Sequence, residues 1–335
     1  MLGACVQPVA SPMPSPFADL TPDAVLDAVE SQGYYCDARV YPLNSYENRV
    51  YQVGIEGASP LIAKFYRPER WSGEQIREEH QWSLQLAAAA LPVVAPLVQN
   101  GETLFTNGGY FFALYPRVPG APQALAEDDQ LYALGQLLGQ LHQQTAGLFN
   151  HRPSLNPNTR EPAYVLASGH LPQVLVGDYQ RLSDQLRVAI QTLFDRVPYR
   201  PIRLHGDVHG GNVLWQDGDP RLVDCDDALN GPAVQDLWML LSGSPAAQQT
   251  QLVQVLEGYE EYRPFDTQEL ALIPSLRALR LMNYSAWLAR RWEDRAFVAA
   301  FPWFNTHAYW AGHIKQLQEA LHEINTLRFH RGQPF

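Results

Sequence analysis

The chain has 335 residues, of which 46% are hydrophobic and 18% charged, enough for two lobes with a substantial core and unlike a disordered chain. A formal net charge of −11 leaves no basic excess for a phosphate backbone or an anionic bilayer, so neither nucleic acid nor membrane is an expected partner. The three cysteines, Cys5, Cys36 and Cys225, are too scattered for a disulfide framework or a zinc site and suit a reducing cytoplasm, and no apolar run is long enough to span a bilayer.

Leu2-Gly3-Ala4-Cys5 has the form of a lipoprotein cleavage box but lacks the charged and apolar segments that should precede one. Residues 1–17 are rich in Pro, Ser and Ala and read as a loose arm. Thr21-Pro22-Asp23 starts a helix: Thr caps, Pro fits the first turn, and Asp meets the positive end of the dipole. Val25, Leu26 and Val29 give it an apolar face, and Gly33 ends it.

Arg49 to Ile55 and Pro60 to Phe65 read as neighbouring antiparallel strands. The turn before them, Leu43 to Asn48, holds Ser45, whose hydroxyl or backbone N–H can meet a phosphate oxygen; in isolation it is a plain hairpin turn. Lys64 lies among Ile62, Ala63 and Phe65 and needs an anionic partner if it points inward. Ser72-Gly73-Glu74-Gln75 is a capping box, and its helix runs to Ala90 before Pro92. At about 100° per residue Glu79 falls roughly 60° from Ile76, and Glu78 roughly 160° away. Glu79 is therefore the expected partner of Lys64, whereas Glu74 and Glu78 suit a solvated face.

Thr103 to Phe105, the turn Asn107-Gly108-Gly109, and Tyr110 to Tyr115 make a hairpin. Pro116-Arg117-Val118-Pro119-Gly120 breaks the pattern and marks the lobe boundary. From Asp128 the period becomes helical, with Leu131, Leu134, Leu137, Leu138 and Leu141 on one face and His142 as a packed or capping histidine. Residues 149–163 read as a proline-containing loop, and another helix covers Asp178 to Phe194.

Ile202 to Leu204 then enter the stretch His205-Gly206-Asp207-Val208-His209-Gly210-Gly211-Asn212 as an apolar strand end. Val213 to Trp215 resume a strand, and after Asp217-Gly218-Asp219-Pro220 a third strand, Arg221-Leu222-Val223, delivers Asp224. An Asp-rich glycine loop by itself is usually only a turn. Here the spacing from Asp207 to Asn212 matches the kinase loop H-R-D-x-x-x-x-N, with Gly206 in place of Arg, and Asp224 stands where the D-F-G aspartate belongs. Phosphoryl transfer needs this set: a carboxylate to orient the attacking hydroxyl, and an amide oxygen and a second carboxylate to hold magnesium against the phosphates of ATP. In the same reading Lys64 serves the α- and β-phosphates. Asp236, between Gln235 and Leu237, is a candidate buried acceptor for backbone N–H groups of the catalytic loop. Gln248 to Leu327 is helical and aromatic-rich; Arg280, Arg290 and Arg291 there fit surface salt bridges better than substrate contacts. The tail, 328–335, is polar and expected to fray.

Four segments carry a family resemblance: Pro42 to Gln52, Lys64 to Trp71, Leu204 to Trp215, and Asp224 to Leu240, with Pro302-Trp303 in accord. On them the chain resembles the bacterial stress response kinase A family, within the aminoglycoside-phosphotransferase-like kinases. The resemblance implies an α+β, two-lobed, protein-kinase-like fold: a small lobe over 18–115, a hinge over 116–120 whose backbone meets adenine, and a larger helical lobe over 121–335. It implies a cytoplasmic serine/threonine protein kinase using ATP and magnesium, linked to survival of oxidative and envelope stress. By position Asp207 becomes the proton acceptor, Asn212 and Asp224 the magnesium ligands with Asp224 also an active-site residue, and Ser45 an ATP contact. Protein acceptors, the chain itself among them, and a monomeric state are expected; whether Asp226 holds a second metal stays open. The alternative is a small-molecule kinase of the aminoglycoside, choline or homoserine type, which the net charge accommodates equally well.

Overall fold

In the computed structural model, which describes residues 16–125, 128–144 and 147–327, strands dominate the first third of the chain and helices the rest. Helix α1 (Pro22–Glu30) begins where the sequence predicts, with the Thr21 hydroxyl accepting from the Ala24 N–H. Strands β1 (Cys36–Pro42), β2 (Arg49–Ile55), β3 (Leu61–Phe65), β4 (Phe105–Asn107) and β5 (Tyr110–Pro116) form an antiparallel sheet in the order β1-β2-β3-β5-β4. Helix α2 (Gly73–Ala88) lies between β3 and β4 in sequence and starts with the expected capping box. β1 was not legible as a strand. Its register slips between Cys36 and Val40 and Ala38 has φ of 64°, so the segment lacks the period-two pattern that announces a strand.

The pleat decides what each face of this sheet meets. Val53, Ala63, Phe65, Phe112 and Leu114 pack against Val25, Ala28 and Val29 of α1. Ala113 and Tyr66 face the other way, against Ile76 of α2 and Leu104. Lys64, between Ala63 and Phe65 and opposite Ala113, is thereby turned to the α2 face. Phe17, assigned to the loose arm by its composition, is buried in the α1 face and stacks on Tyr110 at 5.8 Å. Most of the expected arm, residues 1–15, and the tail, 328–335, lie outside the described residues.

The second part contains α3 (Asp128–Gln143), α4 (Glu161–Ser168), α5 (Val176–Arg196), β6 (Ile202–Leu204), β7 (Val213–Gln216), β8 (Asp219–Leu222), β9 (Leu229–Gly231), α6 (Val234–Trp238), α7 (Pro245–Glu260), α8 (Ile273–Arg291), α9 (Arg295–Ala300) and α10 (His307–Thr326). The leucines predicted for the α3 face are buried. Gly135 and Gly139 let α3 approach α7 so closely that a Cβ on Gly135 would stand 2.0 Å from the Val255 carbonyl oxygen. α4 was missed because Pro162 and the two prolines before it hide a short helix that Pro162 in fact opens. β6 pairs with β9 and β7 with β8, both antiparallel, so two small ribbons carry the loops that matter for function. Among the described residues no helix is long and apolar enough to cross a membrane.

Candidate active site

The loop after β6 is shaped by groups beneath it. The buried Asp236 carboxylate accepts the backbone N–H of His205 and of Gly206, each at 2.8 Å, as its sequence position suggested. His142 of α3 stands 3.1 Å from the same carboxylate and 3.0 Å from the Tyr259 hydroxyl, a packed histidine as expected. Gly206 has φ of +86°, and a Cβ there would lie 2.2 Å from the Asp227 carbonyl oxygen. A side chain at this point is excluded by both conformation and contact, which accounts for glycine where the kinase loop has arginine. His205 Nε2 donates to the Val223 carbonyl at 3.0 Å, and Val223 N–H donates to the Asn212 carbonyl at 3.0 Å. These bonds tie the loop bearing Asp207 to the segment that leads from β8 to Asp224.

Asp207 is held at both oxygens. Oδ1 accepts from Arg280 Nη1 at 2.8 Å; Oδ2 lies 3.3 Å from His209 Nε2 and 3.4 Å from Asn212 Nδ2. His209 Nδ1 accepts from Gly211 N–H, which leaves Nε2 as the protonated ring nitrogen facing the carboxylate. Burial works against the charge of Asp207, but His209 and Arg280 outweigh it and hold the group well below the usual carboxylate range. Asn212 Nδ2 also donates to the Asp207 carbonyl at 3.0 Å, so its amide oxygen is the atom left to face a cation. The place of Arg280 on a helical stretch assigns it to surface ion pairing. It is an ion-pairing residue, but its partner is the aspartate predicted to do the chemistry.

Asp224 follows β8 in the left-handed region, φ 61° and ψ 66°, a conformation that costs a non-glycine residue energy and is retained mostly where function needs it. Its Oδ1 is 2.6 Å from Lys64 Nζ, and Asp226 Oδ1 is 3.3 Å away from the same ammonium. Lys64 is therefore buried and paired, as its apolar neighbours required. Burial opposes its charge, but Asp224 and Asp226 keep its pKa well above the ordinary lysine value. Asp226 is buried as well and takes Asn48 Nδ2 at 3.0 Å and Arg70 Nη1 on its other oxygen. Arg70 Nη2 reaches Asp227 at 2.5 Å. Asn48 and Arg70 lie in segments that carry the family resemblance, yet nothing local in the sequence revealed partners more than 150 residues away.

Among the described residues no ion pair joins Lys64 to Glu79, the expected partner. Glu79 is buried on the α2 face that Lys64 also occupies, as the helical angle predicted. Burial pushes it up to about 7, with Lys64 pulling the other way. Glu78, assigned to a solvated face, instead accepts the backbone N–H groups of Asn150, His151 and Arg152 at 2.6–2.8 Å and so pins α2 to the second lobe. The Glu79 shift has a sign that can be checked. Its folded value lies above the ordinary 4.5, so the folded chain holds an extra proton between pH 4.5 and 7. The associated stability is present below that window and is lost as pH rises through it, in full on the order of 3 kcal/mol. Glu79→Gln, neutral throughout, should flatten the slope. Glu269, also raised to about 7 by burial, acts in both proteins and cancels in the comparison. Denaturant titrations from pH 4 to 8 test this; parallel curves for the two proteins would assign the slope elsewhere.

Ser45 sits in the turn between β1 and β2, where its hydroxyl donates to the Asn48 carbonyl at 3.2 Å and closes the turn on itself. The turn is fastened across the cleft. Glu47 receives Arg291 at 2.7 Å and Trp287 Nε1 at 2.5 Å, both from α8, and Tyr46 packs on Phe301 with ring centroids 4.9 Å apart. Asp294 pairs with Arg49 and Arg67 at 3.2 and 3.1 Å. Arg291, like Arg280, was expected at the surface and is instead part of a half-buried contact between lobes; Arg290 pairs with Glu161.

The candidate cation donors are the Asn212 amide and the Asp224 carboxylate, on segments joined by the Val223 N–H to Asn212 carbonyl bond; both offer hard oxygen without sulfur or imidazole. Among the described residues no group of three His, Cys, Asp or Glu side chains forms a metal cage. That set suits magnesium, which keeps waters and substrate phosphates in its shell and takes only one or two protein ligands.

Comparison with known proteins shows the family. The family model described as the phosphotransferase enzyme family (APH) matches residues 40–273. The chain is 47% identical over 298 residues to stress response kinase A of Escherichia coli (strain K12), covering 88% of this chain and 90% of that protein. It is 46% identical over 298 residues, with the same shares covered, to serine/threonine protein kinase RdoA of Salmonella typhimurium. Among solved structures, amicoumacin kinase hAmiN in complex with AMP-PNP, Ca2+ and Ami aligns with a TM-score of 0.70 at 18% identity, covering 91% of this chain and 96% of that one. At that identity the likeness concerns the fold.

Proposed function

The chain belongs to the phosphotransferase enzyme family and, within it, to the stress response kinase A group, and from that premise we propose that it is a serine/threonine protein kinase of the stress response that moves the γ-phosphate of ATP to a protein hydroxyl. The observation that carries this reading is a pair of contacts, Lys64 with Asp224 and Asn212 with Asp207, joined by the hydrogen bond from the Val223 N–H to the Asn212 carbonyl. Asp207 orients the acceptor hydroxyl and takes its proton. Asn212 and Asp224 hold magnesium, which when bound would neutralise charge on the phosphate oxygens. Lys64 serves the phosphates, with Glu79 behind it, and the Ser45 turn covers them. Residues 116–120 act as the hinge between a small lobe, 18–115, and a large one, 121–335, with their backbone set to meet adenine. The enzyme works as a cytoplasmic monomer.

Incubation with labelled ATP and magnesium tests the assignment. Label on the chain itself or on an added protein favours the protein-kinase reading. Label only on a small alcohol would replace it by the small-molecule alternative.

Lys64→Ala is expected to weaken ATP binding and phosphorylation together, because it removes a charge-assisted contact in a partly desolvated cleft. It also leaves Asp224 and Asp226 without the ammonium between them, so a loss of stability at neutral pH should accompany it. Calorimetric titration with ATP, beside denaturant unfolding, measures both; undiminished ATP affinity would sink the assignment of Lys64.

A further inference from the structure

Arg280 lies outside every segment that carries the family resemblance, on the third helix after the catalytic loop, and is separated from Asp207 by 73 residues in sequence. It nonetheless donates Nη1 to Asp207 Oδ1 at 2.8 Å, and the same nitrogen lies 3.5 Å from Met239 Sδ. The opposite oxygen of Asp207 is met by His209 and Asn212, both from the loop itself. Among the described residues Arg280 is thus the side-chain partner that reaches Asp207 from outside the loop. It comes from α8, a 19-residue helix whose Leu276, Leu279 and Met282 are buried in the core, so the guanidinium is carried on a rigid support.

We propose that Arg280 is a positioning residue for the proposed phosphoryl transfer: it fixes the rotation of the Asp207 carboxylate so that one oxygen stays presented to the acceptor hydroxyl. The inference rests on the reading of Asp207 given above. Phosphoryl transfer through a loose transition state asks little covalent chemistry of the protein and depends chiefly on placement. A cation against a carboxylate lowers its basicity, which would be a poor device if basicity limited the rate. It is a good device if orientation does, since an error of about 1 Å in a reacting group can cost on the order of a hundredfold. The ordinary alternative is a surface ion pair. Arg280 has 46% of its side chain exposed, and such pairs contribute little to stability, so the two readings differ in what they predict for turnover.

The test is a double-mutant cycle on the full chain. Arg280→Gln should lower the turnover of phosphorylation about tenfold or more while the affinity for ATP stays within about twofold. Arg280→Lys, which keeps the charge and loses the planar fork, should restore part of the loss. The deciding measurement is Arg280→Gln added to Asp207→Asn. If Arg280 acts through Asp207, the second change should cost almost nothing in the variant that has already lost the carboxylate. Losses that multiply, or a single variant with wild-type turnover, would overturn the proposal. A wild-type chain that labels neither itself, nor an added protein, nor a small alcohol from ATP would instead overturn the kinase reading on which the proposal stands, and that result is visible before any variant is made.

Discussion

Asp207→Asn is expected to lower turnover by about a hundredfold or more and to leave the affinity for ATP near normal. The amide keeps the size of the carboxylate but cannot take the hydroxyl proton. It also meets donors on both sides, Arg280 at one oxygen and His209 with Asn212 at the other, so its NH2 group must face one of them. Asp224→Asn should fail differently. A neutral amide is a poor substitute for an anionic ligand on a hard cation, so magnesium-dependent binding of ATP should fall. It would also weaken the pairing of Lys64, which Asp226 alone would then have to satisfy. Titration with ATP in the presence and absence of magnesium, beside single-turnover phosphorylation, separates the two. Equal loss of ATP by both variants would show that the roles are wrongly divided, and full turnover by Asp207→Asn would remove the catalytic loop from the mechanism.

The parts of the site that the sequence made legible are those whose reasons are local. Asp207, Asn212 and Asp224 follow one another within a few strands, so spacing and turn chemistry sufficed to bring them together. Glu79 could be placed on the buried side of α2, though not paired correctly, because a helix converts sequence separation into angle. Asp236 could be read because a carboxylate next to Leu237 and Trp238 on an apolar helix must find donors if buried, and the structure buries it.

What stayed hidden depends on contacts across the fold. Glu78 has the spacing of a solvated residue, and only the arrival of residues 150–152 from the other lobe gives it three donors. Arg280 and Arg291 are indistinguishable in sequence from any arginine on an exposed helical face. Their partners, Asp207 and Glu47, reach them only once α8 is packed beside the cleft. Lys64 was rightly expected to need an anion, but the anion it meets is Asp224 with Asp226, not the helix glutamate. Short elements escaped for a different reason: a register slip around Ala38 hid the alternation of β1, prolines disguised the start of α4, and the three-residue β9 is too short to show a period.

Asp236 offers the largest expected effect on stability. Its carboxylate is fully buried and faces two backbone N–H groups at 2.8 Å and the His142 ring at 3.1 Å. Asp236→Ala would leave the two N–H groups without that acceptor in a place buried from water. An unsatisfied buried donor costs about 1–3 kcal/mol, and two backbone donors lose their acceptor here. The expected loss of folding stability is therefore about twice that, read by denaturant unfolding at neutral pH. Asp236→Asn should be milder, since one amide oxygen can still accept while its NH2 group opposes a donor. The two N–H groups belong to His205 and Gly206, immediately before Asp207, so the folded fraction of either variant should also turn over more slowly with ATP affinity less affected. A variant that unfolds readily yet retains wild-type turnover per folded molecule would show that Asp236 supports the lobe and not the geometry of the loop. A variant with unchanged stability would mean that the catalytic loop does not depend on the carboxylate beneath it, and the account of how this sequence holds Asp207 in place would have to be rebuilt from the His205 to Val223 bond instead.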